Sequence, residues 1–474
     1  MSQQPNVLVF ITDQQRSDTM ACYGNDWIQA PRLNAFAEES FVFEHPYSAQ
    51  PVCTPARATL LTGLYPHAAG MMKNNILLDP EIKSIAEMMS DDYHKAYYGK
   101  WHLGQETTRQ HGFDEWLPVF ELPWVIDHPG TPYHQFLLEN GIEPDNTTAA
   151  GHRVFSAKQR IELPVHLTMA HFLAEQAAQF IKQDHDKPFM LQVHCPEPHP
   201  PVGGPLAEIH DPNELPLGPA FMQYPEDASL FNRLRADRHM APKGASEDEQ
   251  KAAEQKARRF RGQYYGLVTL IDQALGIMLD ALEESGLADN TVVMFGSDHG
   301  EMAGDHGMME KRAFYEESAK VPWLMRVPWL GREHKMIPGN IGHVDLVPTL
   351  LDLMNQPVPD HLQGTSRVPV LKGSETLENN DAFIQWNGLG DRNLGAPEIN
   401  LIGSVPWRAI VTADRWKLNL CAGDQCELYD LNNDPHELVN EFDNPEHRDR
   451  IRMMAAKIRL WQHETGDEAP LPSV

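Results

Sequence analysis

Four runs of apolar, β-branched residues, with helical patterns between them, constrain this chain more than any other feature: 6–12 (N-V-L-V-F-I-T), 187–194, 291–296 and 321–327. A strand with one wet face alternates apolar and polar residues. A run without alternation is buried on both faces, the habit of a parallel sheet covered by helices. The helical patterns fall at 55–64, 82–89, 166–183 and about 252–284. Strands alternating with helices predict an α/β fold, a large doubly wound, mixed but mostly parallel sheet flanked by helices. From residue 374 the texture changes to W-R-A-I-V-T-A-D-R-W-K-L-N-L and C-E-L-Y-D-L-N-N-D-P-H-E, short antiparallel strands with a D-P turn, closed by an amphipathic helix at 445–464. The expected division is a large α/β domain over 1–373 and a smaller α+β subdomain over 374–474. Two stretches, 117–160 and 200–249, are rich in Pro, Gly, Asp, Glu and His. Loops of that length in a folded domain are lids or binding loops.

A chain of 474 residues exceeds what one small core serves, which agrees with two units. Lys and Arg number 39 against 67 Asp and Glu, a net charge of −28. That balance argues against a nucleic-acid or anionic-membrane partner, since both need a basic patch. Five cysteines are few and odd in number, the usage of a reducing compartment. The N-terminal M-S-Q-Q-P-N has no basic segment, and the apolar run of seven after it is too short for a signal peptide. The expected location is the cytoplasm, or the periplasm if a leader has been trimmed. Oligomeric state is not legible.

In open α/β sheets, ligands bind at the carboxyl ends of the strands. The first strand runs into Asp13 and Gln14. The 291–296 strand runs into S-D-H-G-E, with Asp298 and His299. The 187–194 strand runs into H-C-P-E-P-H-P-P, with His194 and His199. One acid after a strand is usually a turn or cap residue; three such ends in one sheet point to a site. Asp13, Gln14, Asp298 and His299 form a set of hard oxygen donors with one imidazole, suited to Ca²⁺, Mg²⁺ or Mn²⁺. Lys100 and His102 share the segment G-K-W-H-L-G, and Lys311 follows the Asp298 turn. Alone, each lysine reads as surface charge. Together with Arg57 they would neutralise a tetrahedral oxyanion.

Residues 53–63 read C-T-P-A-R-A-T-L-L-T-G. The pattern C-x-P-x-R followed by T-G resembles the signature of type I sulfatases. The segments D-Q, C-T-P-A-R, L-T-G-L-Y-P-H, G-K-W-H-L-G, P-H-P-P, S-D-H-G-E, K…F-Y-E-E-S…V-P and E-L-Y-D-L-N-N-D-P-H-E occur in the order expected of sulfatases in the alkaline phosphatase superfamily. The resemblance implies that a formylglycine-generating enzyme oxidises Cys53 to formylglycine (3-oxoalanine), whose hydrate is the nucleophile, and that Arg57 fixes it. It implies that Asp13, Gln14, Asp298 and His299 hold a divalent metal together with the residue at Cys53. Calcium is the expected ion, with manganese or magnesium as alternatives. Lys100 and Lys311 would bind sulfate oxygens, and His199 would protonate the leaving alcohol. His102 would take the proton of the remaining hydroxyl as sulfate is expelled. Asn74 lies where the family places a substrate-facing asparagine, and Asn75 suits that role equally.

Two departures stand out. Gln14 replaces the second aspartate common in sulfatases, and His299 replaces the more frequent asparagine. A D-Q/D-H set also occurs in the superfamily's phosphonate monoester hydrolases and phosphodiesterases, which are the alternative reading. Lys100 and His102 favour sulfate. A silent binding protein with an unmodified Cys53 would need no such constellation, and a phosphate mutase would need Thr54 as nucleophile. The expected substrate is a small-molecule or oligosaccharide sulfate ester. Its leaving group would be enclosed by Trp124, His128 and His134 and, from the C-terminal side, by Trp386, Trp407 and Arg408.

Overall fold

The computed structural model describes residues 4–119, 130–148, 151–242, 244–389 and 394–474. The expected pocket residues Trp124 and His128 lie outside them. The N-terminal part supplies β1 (Asn6–Thr12), α1 (Pro31–Glu38), β2 (Phe41–Tyr47), α2 (Cys53–Thr62), β3 (His94–Gly99) and β4 (Glu115–Pro118). A small hairpin, β5 (Asn146–Thr147) and β6 (Arg153–Val154), stands apart. Next come α3 (Met169–Ile181), β7 (Phe189–Cys195), α4 (Leu230–His239), α5 (Glu247–Glu284), β8 (Thr291–Ser297), β9 (Trp323–Arg326) and β10 (Lys335–Gly342). The eight-stranded sheet runs in the order β10-β2-β9-β8-β1-β7-β3-β4, and only β9 is antiparallel to its neighbours.

The central strand shows why the sequence lacks alternation. Leu8 and Phe10 of β1 enter one core, with α1, α3 and α5. Val7, Val9 and Ile11 enter the core on the opposite face, with α2. Successive side chains of a strand point to opposite faces, so two apolar layers demand an unbroken apolar run. Helix α5 begins with a capping box, Ser246 against Glu249, five residues before the expected start. Its apolar stretch is long enough to cross a bilayer, yet 83% of that window is buried within the fold.

The C-terminal sheet contains β11 (Ala382–Trp386), β12 (Trp407–Val411), β13 (Trp416–Cys421) and β14 (Glu427–Asp430), antiparallel and in that order. One face takes Ile451, Met454, Ala455 and Ile458 of the last helix, α6 (Arg448–Thr465). The other face packs Trp386, Trp407, Ala409, Val411 and Tyr429 against Tyr47, Val52, Phe314 and Tyr315 of the large part. At that seam the buried Lys417 ammonium lies 2.7 Å from Glu316 and 2.8 Å from Glu437, and it donates to the Phe314 carbonyl. The two sheets therefore share a core and an ion cluster. Burial pushes the free thiols of Cys421 and Cys426 up to about 12 and about 11.

Candidate active site

Strand register assembles the site. Thr12 is level with Cys195 on one side and Ser297 on the other, and Gly99 is level with His194. Asp13 and Asp298, the next residues of their strands, therefore emerge at one height on the carboxyl edge of the parallel strands, and Lys100 emerges one residue before that height. β2 leads to the same edge, and six residues after its end Cys53 opens α2.

Helix α2 is buried along its whole length. Pro55 lies in its first turn, where its missing N–H leaves no bond unmade. The Thr54 N–H is capped by Asn74 Oδ1 at 3.0 Å. The Asn74 oxygen, expected to face substrate, is thus spent on the backbone. Arg57 lies one turn after Cys53, on the same helix face. Its guanidinium meets Asp13 Oδ2 at 3.0 Å, Asp298 Oδ2 at 3.1 Å, the Lys100 carbonyl at 2.9 Å and His194 Nδ1 at 3.1 Å. Lys100 Nζ also reaches Asp13 Oδ2, at 2.6 Å.

Donor atoms of Asp13, Cys53, Asp298 and His299 lie within 4.8 Å of one another, all buried. Cys53 Sγ lies 3.2 Å from His299 Nε2 and 3.8 Å from Asp13 Oδ1. The other His299 nitrogen, Nδ1, faces the Gly300 carbonyl at 3.0 Å, so that bond turns the Nε2 lone pair toward the cluster. Burial opposes a charged thiolate at Cys53, but Lys311, Lys100 and His299 together hold the thiol well below its usual range. Burial and the neighbouring Asp13 push Asp298 up. Two carboxylates this close repel, and a divalent cation would relieve that repulsion. Hard oxygens plus one imidazole nitrogen fit such an ion.

Gln14 has a left-handed backbone, φ 73°. Its N–H donates to Asp298 Oδ1 at 3.0 Å, while its carboxamide lies between the Lys311 ammonium and Glu301. Lys311 Nζ lies 2.7 Å from His199 Nε2, whose partner nitrogen faces the Pro200 carbonyl at 2.7 Å. His102 Nε2 lies 2.8 Å from Asn75 Oδ1, and the same imidazole helps to hold the Cys53 thiol below its usual range. Of the asparagine pair, Asn75 is the one that meets a candidate catalytic side chain.

Several expectations need correction. Arg408 is buried, bound to Asp467 and to the carbonyls of Trp386 and Trp407, so it staples the C-terminal tail to the small sheet. Trp386 and Trp407 are buried in the seam between the sheets. His134 is buried against Phe155 on a short helix. His194, at the end of the 187–194 run, is held well below its ordinary value by burial and by Arg57. It is a neutral acceptor for the guanidinium, with Gln192 on its other nitrogen. Glu301 was visible only as the last letter of S-D-H-G-E. It is buried, and it orients Gln14 while accepting the Ala303 and Glu310 N–H groups.

A family model described as Sulfatase matches residues 5–356, and one described as N-sulphoglucosamine sulphohydrolase, C-terminal, matches 304–464. The chain is 28% identical to an ulvan-active sulfatase of Formosa agariphila over 479 residues, covering 98% of this chain and 82% of that one. A solved phosphonate monoester hydrolase of Agrobacterium radiobacter superposes with a TM-score of 0.76 at 24% identity, covering 97% and 96% of the two chains. A solved enzyme in complex with its substrate D-glucosamine-2-N,6-O-disulfate also gives 0.76, at 22% identity and 99% coverage of both. The larger model spans most of the sequence, and its strand ends carry the site just described: the chain belongs to the sulfatase family, as a sulfuric ester hydrolase of the alkaline phosphatase superfamily.

Proposed function

We propose that this protein hydrolyses the sulfate monoester of a sugar or small organosulfate and releases inorganic sulfate, with Cys53 converted to formylglycine and a divalent cation, calcium by preference, as cofactors. The observation that carries the reading is the position of Cys53. It opens a fully buried helix, amid Asp13, Asp298 and His299, with the Lys100 and Lys311 ammonium groups converging on it. A glucosamine disulfate in one structural neighbour and N-sulphoglucosamine in the name of the C-terminal family favour a sugar.

Asp13, Asp298 and His299 would hold the cation, with Gln14 beside them. Bound there, the cation would supply positive charge to an anionic substrate oxygen, and the aldehyde hydrate would supply a nucleophile able to release its product without water attacking sulfur. Arg57 keeps Asp13 and Asp298 ionised and aimed. Lys100 and Lys311 bind sulfate oxygens and offset the charge that grows as the ester bond breaks. His199 Nε2, which accepts from the Lys311 ammonium in this structure, would take up the proton it delivers to the leaving alcohol once Lys311 turns to the sulfate oxygens. His102, fixed by Asn75 through Nε2, takes a proton at the residue-53 side as sulfate departs.

Acid–base assistance of this kind is worth about 10²–10⁴-fold. His102→Ala and His199→Ala should each lose that much turnover of an aryl sulfate, and retention of most activity removes that residue from its role. The alternative, phosphonate monoester hydrolysis, has a structural neighbour in its favour. Comparing 4-nitrophenyl sulfate with an aryl phosphonate monoester on the modified enzyme decides. A higher kcat/KM for the sulfate supports the proposal, and a higher value for the phosphonate replaces it.

A further inference from the structure

We infer that Arg235 of α4 is a positioning residue for Lys311, and that α4 couples the C-terminal sheet to the sulfate-binding lysine; the inference rests on the function proposed above. Lys311 occupies a loop between β8 and β9 and belongs to no helix or strand itself. The residues flanking it, Glu310 (φ 67°) and Arg312 (φ 78°), are both in the left-handed region. Such non-glycine conformations persist only where the surroundings over-determine them.

The buried Arg235 supplies that constraint. Its Nη1 donates to the Arg312 carbonyl at 3.1 Å, and its Nη2 donates to the carbonyls of Met309 at 2.9 Å and Lys311 at 2.6 Å. A planar guanidinium is suited to hold several acceptors at once, which a lysine ammonium on a flexible stem cannot match. From the other side, Glu301 accepts the Glu310 N–H at 2.5 Å, and the Pro51 carbonyl accepts the Arg312 N–H at 3.3 Å. Lys311 is thereby aimed at Gln14 and His199. Burial and the neighbouring Arg312 pull Arg235 down to about 10, which leaves it charged at neutral pH.

Helix α4 is itself held by the small sheet. Asp424 accepts the N–H groups of Leu230 and Phe231, both at 2.9 Å, and Glu427 accepts that of Ser229 at 2.8 Å. Carboxylates at a helix N-terminus satisfy orphan donors and complement the helix dipole. A path of direct contacts therefore runs from Asp424 through α4 and Arg235 to Lys311.

The test compares Arg235→Met and Arg235→Lys alone and in a Lys311→Ala background. Misplacing a catalytic group by about 1 Å can cost ~10²-fold. We expect kcat/KM on 4-nitrophenyl sulfate to fall by about that factor in Arg235→Met, with Arg235→Lys intermediate. With Lys311 absent, each change should cost less than about threefold, because residues acting through one group are non-additive. Equal losses in both backgrounds would overturn the inference, as would wild-type rates in either single variant. Arg235→Lys keeps the charge and serves where Arg235→Met does not fold. If the wild-type enzyme turns over no sulfate ester, the function proposal fails, and calorimetric titration with inorganic sulfate reads the inference instead. Arg235→Lys should then weaken sulfate binding with no further loss in the double variant. Unchanged affinity in Arg235→Lys refutes it.

Discussion

Changing Cys53 to alanine is expected to lower sulfate ester turnover by a factor on the order of 10⁶, the scale seen when a covalent nucleophile is removed from an assembled site. The change deletes one buried atom. Alanine is a good helix former, and the other nine residues of α2 keep their packing. Stability should therefore move by no more than about 1 kcal/mol, within the ordinary range for single substitutions. Chemical denaturation checks that the variant is folded, and single-turnover kinetics checks the rate. The carboxylates, lysines and histidines around Cys53 would all remain, so the experiment isolates the nucleophile. A folded variant retaining a hundredth of the wild-type rate would assign the chemistry elsewhere.

The second large effect is on stability. Arg57 is wholly buried and answers both Asp13 and Asp298 while binding the Lys100 carbonyl and His194. Arg57→Met is close in volume but strips the guanidinium from both carboxylates, leaving Asp13 with Lys100 and Asp298 with the N–H groups of Gln14 and His299. Breaking a buried ion pair by removing one partner costs about 3–5 kcal/mol, and urea denaturation should show a loss of that size. Arg57→Lys keeps the charge but cannot hold two carboxylates and a carbonyl with one fork, so it should fall between the two. A loss below about 1 kcal/mol in Arg57→Met would mean that the Asp13–Asp298 repulsion is relieved by other means.

Parts of this fold were legible because burial on both faces leaves an unmistakable trace. β1, β7 and β8 are wholly buried and read as apolar runs. β2 and β3 were not legible. F-V-F-E-H-P-Y carries a charge, a histidine and a proline, and H-K-A-Y-Y-G a lysine. Their pairing is set by partners far along the chain, β10 for β2 and β7 for β3. Helix α4 hid in a stretch expected to be loop, because L-F-N-R-L-R-A-D-R-H looks solvated and the burial of Arg235 is decided by carbonyls some 75 residues away.

The site divides in the same way. Asp13, Lys100, Asp298 and His299 follow strand ends, so topology brings them together. The work of Asn74, His194 and Glu301 depends on which atom meets them across the fold, and their residue types do not reveal it. Trp386, Trp407 and Arg408 misled for a related reason. Large aromatic and cationic residues suit a pocket wall, but these three build the seam and staple of the small sheet.

Cys53 is 1% exposed in the folded protein. A modifying enzyme would therefore have to meet the chain before it folds, and the measurement to make is on protein produced in cells that contain one. Mass spectrometry of the peptide spanning Cys53 should show an aldehyde in place of the thiol, in a fraction that tracks specific activity toward sulfate esters. A peptide carrying only the thiol, from cells that convert a control sulfatase, would contradict the assignment of Cys53 as the source of the nucleophile.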